Sequence, residues 1–189
     1  MKYVSIDLET TGLNPDNCTI LEMAAIIEDT KTQLPREQCP IFHRYIDHGN
    51  RLAGEPFALV MNSQLLKKTL ELIKAKDPQV CTPDNLMTEF DAFLKANGIP
   101  NKVLAAGKNF AFFDREFLRR LPQAEKIRFH HRALDPVTLY TDFINDEVPP
   151  NMDDCMSRAA LVASGKHQAA DDAWDVVCLL RKKYTPARP

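Results

Sequence analysis

Tyr3-Val4-Ser5-Ile6-Asp7-Leu8-Glu9-Thr10-Thr11-Gly12-Leu13, near the start of the chain, alternates apolar and polar residues with the period of a strand. Val4, Ile6 and Leu8 fall on one face; Ser5, Asp7 and Glu9 fall on the other, and Thr11-Gly12 breaks the run. Residues two apart on a strand project from the same face, so Asp7 and Glu9 stand side by side at the strand's end. Two adjacent anions repel each other and are costly to hold unless a cation neutralises them. Hard oxygen ligands of this kind select Mg2+ or Mn2+. Taken alone, an Asp-x-Glu pair at a strand end is more often a solvated edge than a metal site.

Working outward, Ile20 to Ile27 reads as a second, more continuously apolar strand, and Cys39 to Ile46 as a third. Thr82-Pro83 followed by Leu86, Phe90, Phe93 and Leu94 has the cap, the first-turn proline and the spacing of an amphipathic helix. Val103 to Ala106 is a short strand that runs into Gly107. Phe113, Phe117, Leu118 and Leu121 then fit a helix that Pro122 stops, and Met152 to Ala163 and Ala170 to Arg181 fit two more. Residues 47–60 and 143–151, with their glycines and prolines, read as loops, as does the tail after Tyr184. Strands come early and helices enclose them. The expected class is α/β, a mixed central β-sheet flanked by α-helices.

At 189 residues the chain favours one domain, expected over 1–184 with a short tail at 185–189. Hydrophobic residues at 44% and charged residues at 26% suit an ordinary globular protein. Acidic residues arrive too early for a signal peptide, and no stretch approaches the roughly 20 apolar residues of a membrane span, so a cytoplasmic protein with no membrane partner is expected. Five cysteines, at 18, 39, 81, 155 and 178, include no close pair and read as free thiols. A net charge of −2 argues against coating long duplexes, but not against gripping one strand end through local contacts.

Two further segments carry chemistry. Asp114, in Gly107-Lys108-Asn109-Phe110-Ala111-Phe112-Phe113-Asp114, lies past a strand and a glycine turn, where helix onset aims a carboxylate at the sheet's carboxyl edge. The plainer alternative is an acid favoured by the helix dipole. In His167-Gln168-Ala169-Ala170-Asp171-Asp172, small alanines allow close helix–sheet approach. A histidine there is more often a cap than a catalyst, and of two adjacent aspartates at most one can share its face.

The order Asp-x-Glu, Asp, His-x4-Asp nevertheless resembles the exonucleases with four acidic residues and a histidine, the DEDDh group of the RNase H-like superfamily. Ile6-Asp7-Leu8-Glu9-Thr10-Thr11-Gly12-Leu13 resembles their first motif, Phe113-Asp114 the second, and His167 with Asp172 the third, which selects Asp172 over Asp171. Phe129-His130-His131-Arg132-Ala133-Leu134-Asp135 is similar to oligoribonuclease. His130, Arg132 and Thr138 match that subfamily's phosphate-holding cluster, whereas Val137 stands where it has a serine. Residues 47–85 lack its tryptophan and histidine-serine pattern, and Pro56 to Leu66 looks more like a proofreading exonuclease.

The resemblance implies two divalent cations, Mg2+ or Mn2+, on Asp7, Glu9, Asp114 and Asp172, with His167 as general base. It implies that Thr10 to Leu13 receives the terminal nucleotide, with Leu13 against a base, and that Asn109 and Arg132 contact sugar and phosphate. Substrates would be the 3′ ends of single-stranded or short RNA or DNA, released as 5′-mononucleotides. A second copy of the chain is the one protein partner allowed for. The rival functions are a catalytically silent nucleic-acid-binding protein on the same fold and a hydrolase of small phosphodiesters.

Overall fold

In a computed structural model that describes residues 1–100, 102–164 and 168–184, the opening alternation is a central strand, β1 (Lys2–Thr10). Along the chain follow β2 (Ile20–Asp29), β3 (Ile41–Ile46), α1 (Pro56–Met61), α2 (Ser63–Ala75), β4 (Val80–Cys81) and α3 (Pro83–Ala96). Then come β5 (Lys102–Val103), β6 (Ala105–Ala106), α4 (Asp114–Leu118), β7 (Arg128–Phe129), α5 (Pro136–Tyr140), α6 (Met152–Arg158) and α7 (Ala169–Tyr184). The main sheet has the order β4-β3-β2-β1-β6. β1–β2 and β2–β3 pair antiparallel, while β1–β6 and β3–β4 pair parallel, so the sheet is mixed.

The two faces of β1 bury against different helices, which is why its alternation is legible. Val4, Ile6 and Leu8 join Leu86, Met87, Phe90 and Leu94 of α3 in the larger core. Burying one such side chain as large as Phe90 contributes about 1.5–3 kcal/mol. On the other face Tyr3 packs with Ala173, Val176, Val177 and Leu180 of α7. Ala173 lets that helix come close enough for Ser5 Oγ to donate to its carbonyl at 2.8 Å. The far end of α7 is tied to β2 by Arg181, whose Nε and Nη2 meet Glu28 at 3.0 and 2.6 Å.

The expected α/β class and flanking helices are present. Several boundaries differ from the sequence reading. Residues 47–60 are not all loop: Pro56 starts α1, and α2 follows it after Asn62. The strand expected over Val103 to Ala106 is two strands, because Val103 turns to pair with Phe129 while Ala105 pairs with Val4. The helix from Met152 stops at Arg158 rather than Ala163. Ala160 turns left-handed (φ 51°) and its N–H closes back on the Ser157 carbonyl, a helix-ending geometry. Thr82 does precede α3, but its side chain makes no capping bond. The cysteines are free, and four of the five are buried. Among the described residues no helix is long and apolar enough to cross a membrane. His167 and the tail at 185–189 lie outside the described residues.

Candidate active site

Asp7 and Glu9 leave β1 on the face that α7 covers, and Asp172 in the first turn of α7 meets them there. One carboxylate oxygen from each of Asp7, Glu9 and Asp172 lies within 4.8 Å of the others. Asp114 enters from α4 and is 3% exposed. Its path depends on Gly107, where a Cβ would stand 2.7 Å from the Ile6 carbonyl oxygen. The following turn places Asn109 in the left-handed region (φ 57°), with its N–H donating to Asp135 Oδ2 at 2.9 Å. Asp135 Oδ1 accepts from Val137 N and caps α5, so one side chain fixes both the turn and the next helix.

Gathering these acids is electrostatically expensive. Burial, and then Asp114, Asp172, Glu9 and Glu22, push the Asp7 carboxyl well above the usual carboxylate range. Burial with Asp172, Glu22 and Asp114 pushes Glu9 up to about 8. Burial raises Asp114 to about 7 against the pull of the Leu8 and Asp114 backbone amides. A carboxyl with a raised folded pKa stabilises the fold below its unfolded value of about 4, and that contribution is lost as pH rises through the folded value. With chelator present, thermal melts should therefore show Tm falling from about pH 5 to about pH 8, and saturating Mn2+ should flatten or reverse the slope. A flat curve in chelator would mean these acids are not mutually destabilising.

The acids line a cleft of about 490 Å³. Leu13, Lys108 and Asn109 line it too, with Lys108 the one cationic side chain among its described walls. Leu13 is 75% exposed, held out by a turn in which Thr10 Oγ1 donates to the Gly12 carbonyl at 2.8 Å. Thr10 thus shapes the turn and is not itself part of the cleft wall. Gly12 has φ +154°, and a Cβ there would meet Cys18 Sγ at 2.6 Å. Arg132 lies on the exposed 130–132 turn and does not line the cleft. A larger cleft of about 690 Å³, walled by Arg51, Phe117 and Arg120, has more volume but no comparable group of facing carboxylates. Chemistry, not size, marks the smaller one.

The choice between the adjacent aspartates has a visible cause. Asp171 is taken by Arg36, which also reaches the Ala170 carbonyl, while Asp172 joins Asp7 and Glu9. Four contributors went unread in the sequence. Asp175, one turn beyond Asp172, is 3% exposed in the cleft wall and accepts from Ser164 N at 3.1 Å and from its Oγ at 2.7 Å. Glu55 accepts from Leu13 N at 3.4 Å, tying α1 to the turn. Lys108 carries a charge at the rim. Glu22 gave the clearest signal, a single acid inside the apolar run Ile20 to Ile27.

The exonuclease family's sequence model, of RNase T type, matches residues 4–180. An oligoribonuclease of Buchnera aphidicola subsp. Schizaphis graminum is 31% identical over 139 residues, covering 71% of this chain and 69% of that protein. The nuclease domain of 3′hExo, a DEDDh family member solved with bound rAMP, superposes with a TM-score of 0.67 at 15% identity, over 95% of this chain and 89% of that one. Cell-death related nuclease 4 superposes with a TM-score of 0.64 at 16% identity over 96% of this chain, which spans 62% of that protein's chain. The mixed sheet with its flanking helices is thus an RNase H-like exonuclease fold.

Proposed function

The chain belongs to the exonuclease family, and we propose that it is a DEDDh-type 3′-5′ member that removes 5′-mononucleotides from the 3′ ends of single-stranded or short nucleic acid. The observation that carries this reading is the convergence of Asp7, Glu9 and Asp172 within 4.8 Å in the cleft that Asp114 also lines. The donor set fits hard divalent cations: carboxylate oxygens only, half-buried or buried, with Asp7, Glu9 and Asp114 costly to ionise without a counter-charge. Asp7, Glu9, Asp114 and Asp172 would hold two such ions, Mg2+ or Mn2+. When bound, the ions stabilise the charge that builds on the phosphate and on the leaving oxygen.

The chain's own residues do the rest. His167 is the general base that takes the proton of the attacking water, as a histidine near pKa 6.5 can. Leu13 lies against the terminal base, and Lys108 and Asn109, which line the same cleft, face the sugar-phosphate. The oligoribonuclease relative favours RNA ends as substrate. A 5′-labelled oligomer, as matched RNA and DNA and beside a free dinucleotide, tests this. A descending ladder with 5′-mononucleotide product is expected. Binding without cleavage indicates a silent protein, and cleavage of the dinucleotide alone indicates a small-phosphodiester hydrolase.

Activity should vanish in chelator and return with Mg2+ or Mn2+, while Ca2+ binds without supporting turnover. Calcium accepts looser geometry and more ligands than a site built for either smaller ion. Full hydrolysis in excess EDTA would end the metal reading. Blunt duplex should be degraded more slowly than single strand, because freeing an end costs stacking and pairing energy. With a net charge of −2 there is little phosphate contact to offset that cost, and binding should depend only weakly on salt. Equal initial rates on the two substrates would contradict this.

A further inference from the structure

We propose that Glu22 is a positioning residue for this site: its buried carboxylate fixes the first turn of α7, and with it Asp172, to the strand beside Asp7 and Glu9. The inference rests on the cation-binding role given above to those three acids.

Glu22 stands directly opposite Glu9 in the β1–β2 ladder, so both side chains leave the sheet on the same face. It is 1% exposed. Its neighbours in β2 are Leu21, Met23, Ala24, Ala25 and Ile26, all buried and apolar. A like-charged pair opposed across a dry sheet is destabilising, and Glu22 adds to the repulsion that raises both Asp7 and Glu9. An apolar residue would fill the position at lower cost. What a carboxylate supplies and leucine does not is an acceptor, and Glu22 uses both oxygens. Oε2 accepts from the N–H of Ala169, the first residue of α7, at 3.3 Å. Oε1 accepts from Nε2 of His43 on β3.

The first N–H groups of a helix have no partner within it, so a fixed external acceptor sets where the helix begins and how it is rotated. Asp172 follows Ala169 by less than one turn. Arg36 grips the same turn from the other side, through the Ala170 carbonyl and Asp171. Beside Glu22, Tyr45 of β3 is its cross-strand neighbour, and Lys68 Nζ of α2 lies 4.8 Å from the Tyr45 ring. The helix is thereby referenced to β2, the strand paired with the one that carries Asp7 and Glu9.

The test measures Mn2+ affinity on the full chain, with the metal alone, and steady-state hydrolysis of a short oligonucleotide. Outer-shell partners of metal ligands are typically worth about 10–100-fold in affinity or activity. Glu22→Ala should weaken Mn2+ binding and lower kcat by about that factor, with KM little changed. Glu22→Gln, which keeps length and an acceptor, should restore most of both. Glu22→Asp, which keeps the charge but withdraws it from Ala169, should not. A Glu22→Ala protein that melts earlier yet keeps wild-type Mn2+ affinity and kcat well below its Tm would overturn the inference. If that variant does not fold, the Asp and Gln variants decide on the same two readouts, and equality of both with wild type overturns it. Wild-type protein that neither binds Mn2+ nor hydrolyses the oligomer refutes the parent reading instead, so the two failures are distinct.

Discussion

Asp7→Ala and Asp172→Ala proteins should be folded and inert. Each change removes one of the three carboxylates whose oxygens lie within 4.8 Å of one another, and with it part of the cage for the cations. Loss of a single preorganised group that stabilises transition-state charge already costs on the order of 10²–10³-fold. Loss of a ligand that places the ions should exceed that and take the rate to background. Stability should move the other way. Asp7 is held far from its ordinary ionisation by burial and by four neighbouring carboxylates, so its removal relieves a repulsion rather than a contact. In chelator the variant's Tm should equal or exceed that of wild type. Measurable turnover by either variant with Mg2+ or Mn2+ present would sink the assignment of these acids.

His167→Ala should lower kcat by about 10²–10⁴-fold with Mn2+ affinity largely preserved, because a base moves a proton and a ligand holds an ion. A histidine that only capped the last helix would cost about 1 kcal/mol of stability and leave the rate near wild type. The pH profile separates the cases further. Wild-type rate should rise as the imidazole deprotonates and then flatten, and that limb should be absent in the variant. An unchanged profile at near-normal rate would assign the base elsewhere.

How much of this was legible in the sequence follows from how local each cause is. β1 was readable because both its faces are buried, one under α3 and one under α7, so every residue is committed to a side. Asp7 and Glu9 came with it. Only the resemblance to a family motif separated Asp172 from Asp171; the physical cause, Arg36 on Asp171, is distant in the chain. α1 was hidden by the glycines before it and the proline that opens it, and it buries no residue of its own that would set a period. α6 was overextended because the left-handed Ala160 carries no glycine or proline to announce it. Arg132 matched a motif by type, yet the turn that holds it leaves it outside the cleft wall. Asp175 looks like an ordinary acid until Ser164 is seen against it, and Glu22, conspicuous in its apolar run, finds its partner Ala169 only in the fold.

Asp7 and Asp172 stand near opposite ends of the chain, and the sheet that carries the first does not need the second to pair its strands. During synthesis β1, β2 and β3 emerge long before α7, so the face later covered by Ala173 and Val177 waits open while its acids are still far from complete. A chain released before residue 169 has neither the helix nor the fourth carboxylate. The acidic cluster of Asp7, Glu9 and Asp172 is therefore complete only once α7 has been made and has docked on that face.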